Sequence, residues 1–391
     1  MAGGMAFPIL PIAALRVGLP LAFVGMILAA NRAARVVSSP LVGICADRFG
    51  GRTTLLVGLL LQVVVLGLYA LGILTHAVGP LFLTGRLLHG PASACVFVAA
   101  QALALHAGGA SQGGRAAGTV RAAMVLGMPV GLAAGGLLSD AFGDAPTFAI
   151  AACAVVVALF VAFVRVPDLR APALHRPPLL ATLRAMRDRR LFAVGALNFV
   201  LSFSASGMVL ATLPILVHDR HVSVLSRNDQ GTAGLLMGWM IVVEAAATPI
   251  AGRIGDRWGA HARVATAGMA CLAGGLAVIG LAAGAWGIAA GLALVGLGTA
   301  ALGPSLLVLM GELVVRERRG TGVGLLQLCG DVGGTLGPLV GTALLAGNTV
   351  RPYLATAVLA ALFGPLGVWL ARVEMRVRSS RLAAKPPEPL V

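Results

Sequence analysis

The chain has 391 residues, 58% of them hydrophobic and 11% charged, with a mean hydropathy of +0.94. A soluble domain carries about 25% charged residues, so this composition excludes a water-soluble fold and points to helices that face lipid, where no charge is needed. The net charge of +15 invites a nucleic-acid partner, but the Arg residues sit in short connections between apolar spans, which excludes that reading.

Apolar stretches of about 20 residues, each long enough to cross the hydrocarbon core, recur along the whole sequence. They fall near 5–17, 21–43, 53–74, 81–106, 118–139 and 147–164, then near 191–217, 232–252, 263–283, 287–314, 321–346 and 352–371. A Pro- and Arg-rich linker separates the two sets. The expected organisation is a bundle over 1–164, a linker over 165–190, a second bundle over 191–372 and a basic tail over 373–391. The 53 glycines suit close packing of membrane helices. Cys45, Cys95, Cys153, Cys271 and Cys329 have no metal-ligand spacing and read as small packing residues.

With linker and tail in the cytoplasm, 21 of the 29 basic residues lie in cytoplasmic connections. Arg16, Arg220, Arg227 and Arg351 remain outside, and the rest fall within spans. The positive-inside rule therefore predicts a multi-pass protein of a cell membrane, such as a bacterial inner membrane, with linker and C-terminus cytoplasmic.

The opening span is short. Span 7 runs 23 residues from Leu191 to reach Pro214, whereas its counterparts Pro8 and Pro11 have 7 or 10 residues before them. The shortfall reads as a start assigned too late or a truncated gene. The alternative is a short helix that enters the bilayer partway.

Two segments repeat. Ser39-Pro40-Leu-Val-Gly43-Ile-Cys-Ala-Asp47-Arg48-Phe-Gly50-Gly51-Arg52 matches Thr248-Pro249-Ile-Ala-Gly252-Arg-Ile-Gly-Asp256-Arg257-Trp-Gly259, at an offset of 209. Gly118, Gly127, Gly131 and Gly135 match Gly324, Gly333, Gly337 and Gly341, at an offset of 206. Two landmarks at nearly one offset indicate duplicated, parallel six-helix halves.

These segments resemble the major facilitator superfamily, over essentially the whole chain. The Gly43-x-x-Ala-Asp47-Arg48-x-Gly50-x-Arg52 run looks like the family's motif A, with a second copy through Gly252, Asp256, Arg257 and Gly259. Arg86-Leu-Leu-His89-Gly90 resembles motif B, with His in place of Gln. Gly127, Gly131 and Gly135 resemble motif C of drug–proton antiporters with Leu132 where Pro is usual, and Gly333, Gly337, Pro338 and Gly341 come nearer the pattern in the other half. The resemblance implies an all-α fold of twelve spans, with spans 2 and 11, and 5 and 8, facing across the halves. It also implies that motif A clamps the cytoplasmic side shut; solvation of a tight turn is the plainer alternative. The glycine faces imply either tight packing or a bend between the halves.

Charges within spans are costly and usually functional. Counting about 1.5 Å of rise per residue, Arg32 and Arg35 reach the level of Asp331, so an ion pair across spans 2 and 11 is expected. Glu244 lies opposite span 5, where Arg121 is placed to approach it. Asp331 and Glu244, with Arg86, are the proton-coupling candidates; a static ion pair that fixes register is the alternative. Arg32, Arg35, His89 and Arg121 are candidates for a substrate cavity or the interface. No nucleotide-binding, metal or catalytic constellation occurs, so an enzyme is not expected and the only energy source implied is a proton gradient.

The leading expectation is a monomeric, proton-coupled exporter of a small, mostly apolar compound. An importer or facilitator of a small metabolite or anion is the second. A transport-inactive sensor or truncated gene product is the third.

Overall fold

The computed structural model describes residues 2–107, 109–167, 187–314 and 319–383. Helices account for the regular structure among them, and their order follows the apolar spans. The first half holds α1 (Ala2–Arg16), α2 (Leu21–Phe49), α3 (Gly51–Leu74), α4 (Val78–Ala107), α5 (Gly109–Phe142) and α6 (Asp144–Arg165). The second holds α7 (Arg189–Asp219), α8 (Asp229–Trp258), α9 (His261–Leu281), α10 (Ala285–Leu313), α11 (Arg319–Leu345) and α12 (Arg351–Ala383). The expected linker falls largely outside the described residues.

Ten of these helices are long and apolar enough to cross a membrane. The 15-residue α1 is shorter than a spanning helix, whereas its counterpart α7 runs 31 residues. Both are inner helices. Ile9, Leu10 and Ile12 of α1 are buried, as is 83% of the apolar window of α7. Only 28% of the corresponding windows of α3 and α6 is buried. The exposed face of α6 carries Val157, Phe160, Val161, Phe163 and Val164, an apolar wall that only lipid solvates well.

The motif A segments depart from the expectation of a turn. Helix α2 continues through Gly43, Arg48 and Phe49, and only Gly50, at φ +85°, breaks it before α3 starts. Helix α8 likewise runs to Trp258 and is capped by Gly259 in the left-handed conformation. The physical reason is local: the residues before each glycine are compatible with helix, and only glycine reaches positive φ without strain.

The glycine faces settle inside each half. A Cβ on Gly135 would meet the Met5 backbone of α1 at 2.5 Å, and one on Gly4 would meet Met128 O at 2.9 Å. Gly333 and Gly337 hold α11 against Phe199 O and Phe203 O of α7, and Gly341 faces Met208. Within α7, Ser202–Val209 takes a π-helical winding where that contact is made.

Across the halves, α2 packs on α11 and α5 on α8. These seams are also glycine-lined: Gly25 faces Pro338 O and Thr342, while Gly136 and Gly234 lie backbone to backbone.

Candidate functional site

Three charges meet at the α2–α11 seam. Arg35 lies 14 residues from either end of α2 and Asp331 12 and 14 residues from the ends of α11, so both sit near mid-helix, roughly 18–21 Å from the ends at 1.5 Å per residue. Arg35 Nη2 donates to Asp331 Oδ1. Arg32 Nη1 stands 3.7 Å from the same oxygen, and Gln327 Nε2 donates to Oδ2 at 3.0 Å. The Asp331 side chain is 6% exposed. Its carboxylate thus joins the two halves, and Gly334 leaves the space through which the Arg32 side chain passes. The pair anticipated from helical depth is present.

Glu244 is also central in its helix, but it turns to α10 of its own half, where it meets the Thr299 hydroxyl. The side chains of Arg121 and Asp47 lie outside the described residues. The helical winding of α8 directs Glu244 away from the α5 seam that span order alone suggested, while Gly238 takes that seam against Ala133 and Pro129 O.

Arg86 and His89 share one face of α4 and are buried. The Arg86 guanidinium lies over the Phe7 ring at 4.8 Å, and its Nε and Nη2 have no hydrogen-bond partner. His89 packs where Gly3 of α1 leaves room. Tyr69, which sequence reasoning passed over, is buried beside Arg86, its ring edge-on to Phe82 at 5.5 Å and tilted against Phe148 at 5.3 Å. A lone Tyr in an apolar span gives little signal until α3 and α4 are seen packed together.

Motif A residues make contacts inside their own halves. Arg52 Nη2 donates to Phe163 O at 2.6 Å and its guanidinium lies over the Phe163 ring. Arg48 lies over Phe49. Asp256 meets His261 Nε2 at 3.2 Å, at the first residue of α9.

The opposite end of the bundle holds a second cross-half contact that the sequence did not disclose. Asp140 at the end of α5 accepts from Arg227 Nη1 and from Asn228 N, both at 3.1 Å. Asn228 also caps α8 by accepting from Gly231 N. Beside it, Arg16 Nη1 donates to Asp144 at 2.8 Å, which ties α1 to α6. These contacts, with Gly25–Thr342 and Gly136–Gly234, close the end opposite motif A. At the motif A end of α2, by contrast, Val37, Leu41 and Ile44 are exposed.

Two halves of six helices thus meet at an α2–α11 seam and an α5–α8 seam, with a charged cluster at mid-depth in the first. The profile of the Major Facilitator Superfamily matches residues 1–227 and 195–390. The chain belongs to the major facilitator superfamily. It is a multi-pass membrane transporter and not an enzyme. Among solved structures it is similar to the human organic anion transporter MFSD10 (TETRAN), with a TM-score of 0.66 at 20% identity over 94% of this chain and 95% of that one. It is similar also to the nucleoside transporter NupG, with a TM-score of 0.74 at 14% identity over 96% and 95%. Identities this low speak for the shared fold alone. A search of curated proteins by sequence gave no match.

Proposed function

We propose that this transporter is a proton-coupled antiporter that exports a small, mostly apolar organic compound by alternating access, with Asp331 as its coupling carboxylate. The observation that carries the reading is the Arg32–Arg35–Asp331 cluster, buried at mid-helix and shared between the halves. Asp331 can hold either a proton or its charged contact with Arg35. Uptake of a proton turns the ion pair into a neutral contact and loosens α2 from α11. Loss of the proton restores the pair and draws the helices together. The arrangement is closed at the end carrying Asp140 and Arg227. If motif A faces the cytoplasm, as the distribution of Arg predicts, this is the state in which an exported solute loads.

The test uses everted vesicles from a transporter-deficient host, in which an interior made acid by respiration drives uptake of an exported solute. Asp331→Asn is expected to abolish the dependence on the pH gradient at equal protein level. Full gradient-driven uptake by Asp331→Asn would remove Asp331 from coupling. Gradient-driven uptake confined to right-side-out vesicles would reverse the direction.

A further inference from the structure

The charges of the cluster are unequal in number. Arg32 has a second like charge near it, Arg86, besides its neighbour Arg35, and Asp331 is the carboxylate ion-paired with Arg32 and Arg35. Arg86 is left over at 1% exposure. A guanidinium does not shed its charge in a protein, and a buried charge without a partner is strongly destabilising.

The Phe7 ring covers one flat face of Arg86 at 4.8 Å, which offsets part of that cost. A ring face accepts nothing in the guanidinium plane. In that plane Nε and Nη2 meet no acceptor. These two nitrogens form one edge of the fork, and their N–H bonds run parallel at the spacing of the two oxygens of a carboxylate. Tyr69 Oη is buried nearby and is likewise unpartnered. Phe82 and Phe148 pin its ring, so its hydroxyl is held in place. The two Arg86 nitrogens and the neighbouring Tyr69 hydroxyl are thus buried with no acceptor, and the positive charge of Arg86 favours an anion beside them.

We propose that Arg86 binds the carboxylate of the transported solute through Nε and Nη2, with Tyr69 as a third donor. This rests on the transport reading and narrows it. The solute is a small monocarboxylate whose apolar body lies among aromatic side chains such as Phe7.

Binding is measured on the purified full chain in detergent, as the shift in thermal unfolding midpoint with probe concentration. The probes are benzoate and octanoate, their neutral amides benzamide and octanamide, and inorganic phosphate. The carboxylates are expected to stabilise the protein saturably, and the amides to bind at least about tenfold more weakly because they bring no charge to the guanidinium. Arg86→Lys should weaken carboxylate binding about tenfold or more, since an ammonium offers no parallel pair of donors. Tyr69→Phe keeps the ring packing and should weaken it about three- to tenfold, the loss of one hydrogen bond. Equal response to benzoate and benzamide, phosphate binding as tightly as benzoate, no carboxylate response, or unchanged affinity in both variants would each overturn the assignment. Because binding in detergent needs no gradient, carboxylate binding without proton-driven transport sinks only the coupling scheme. Proton-driven transport of amides with no carboxylate binding sinks only this inference.

Discussion

Arg35 and Arg32 address the same oxygen of Asp331 but not equally. Arg35 is hydrogen-bonded to it, while Arg32 stands back at 3.7 Å. Removing one member of a buried pair costs about 3–5 kcal/mol because the other charge is stranded. Arg35→Gln should approach that range, reduced because the Arg35 side chain is 29% exposed. Arg32→Gln should cost less, since Asp331 keeps Arg35 and Gln327. Thermal unfolding midpoints of the two variants check the order; a larger drop for Arg32→Gln would show that its contact with Gly334, not the ion pair, dominates. This pair was legible in the sequence because helices rise uniformly, so counting residues gives depth. Which way a side chain turns is harder to count. Glu244 shares the depth of Arg35, yet its helix aims it at Thr299 of α10.

At the scale of the helix, the paired glycines prove to be joints between first and fifth helices within a half. A Cβ on Gly337 would lie 2.4 Å from Phe203 O and 2.8 Å from the Gly207 Cα. Both neighbours are backbone, so neither can rotate away. Gly337→Val should therefore cost at least the roughly 1–3 kcal/mol typical of overpacking and lower the unfolding midpoint. Gly274 meets nothing within 4 Å, and Gly274→Ala should leave the midpoint unchanged or raise it slightly by the helix propensity of Ala. Equal effects at the two sites would show that the α7–α11 joint yields. The repeat spacing disclosed that these glycines share a face. It did not disclose the partner, because a stripe of small residues fits a neighbour in the same half as well as one across the seam. The π-helical Ser202–Val209 was illegible for a related reason: its winding accompanies contact with α11, and Phe-Ser-Ala-Ser-Gly alone does not demand it.

At the scale of the whole molecule, the two ends of the bundle differ in chemistry. Among the described residues, the motif A end shows contacts within each half: Arg52 with Phe163 and Asp256 with His261. The other end is joined by Asp140 to Arg227 and Asn228. Legibility divides along the same line. Motif A has a fixed spacing and occurs twice, so it stood out, although its continuation as helix did not. The Asp140 latch pairs a helix end with a loop 87 residues away, and no periodicity links them. Its energy is suited to switching. Asp140 is largely sheltered at 13% exposure and Arg227 is 47% exposed, so the ion pair itself is worth about 0.2–1 kcal/mol, with about 0.5–1.5 kcal/mol more from the Asn228 hydrogen bond. Together that is about 0.7–2.5 kcal/mol, enough to shift a two-state population by roughly three- to seventyfold without unfolding either half. Asp140→Ala should therefore raise amide hydrogen exchange in the last turns of α5 and the first turns of α8, leaving α3 and α6 unchanged. The swapped pair Asp140→Arg with Arg227→Asp should recover part of the protection through the ion pair alone. Exchange in the double variant no slower than in Asp140→Ala would mean that Asn228 and the glycine seam, not charge, hold this end closed.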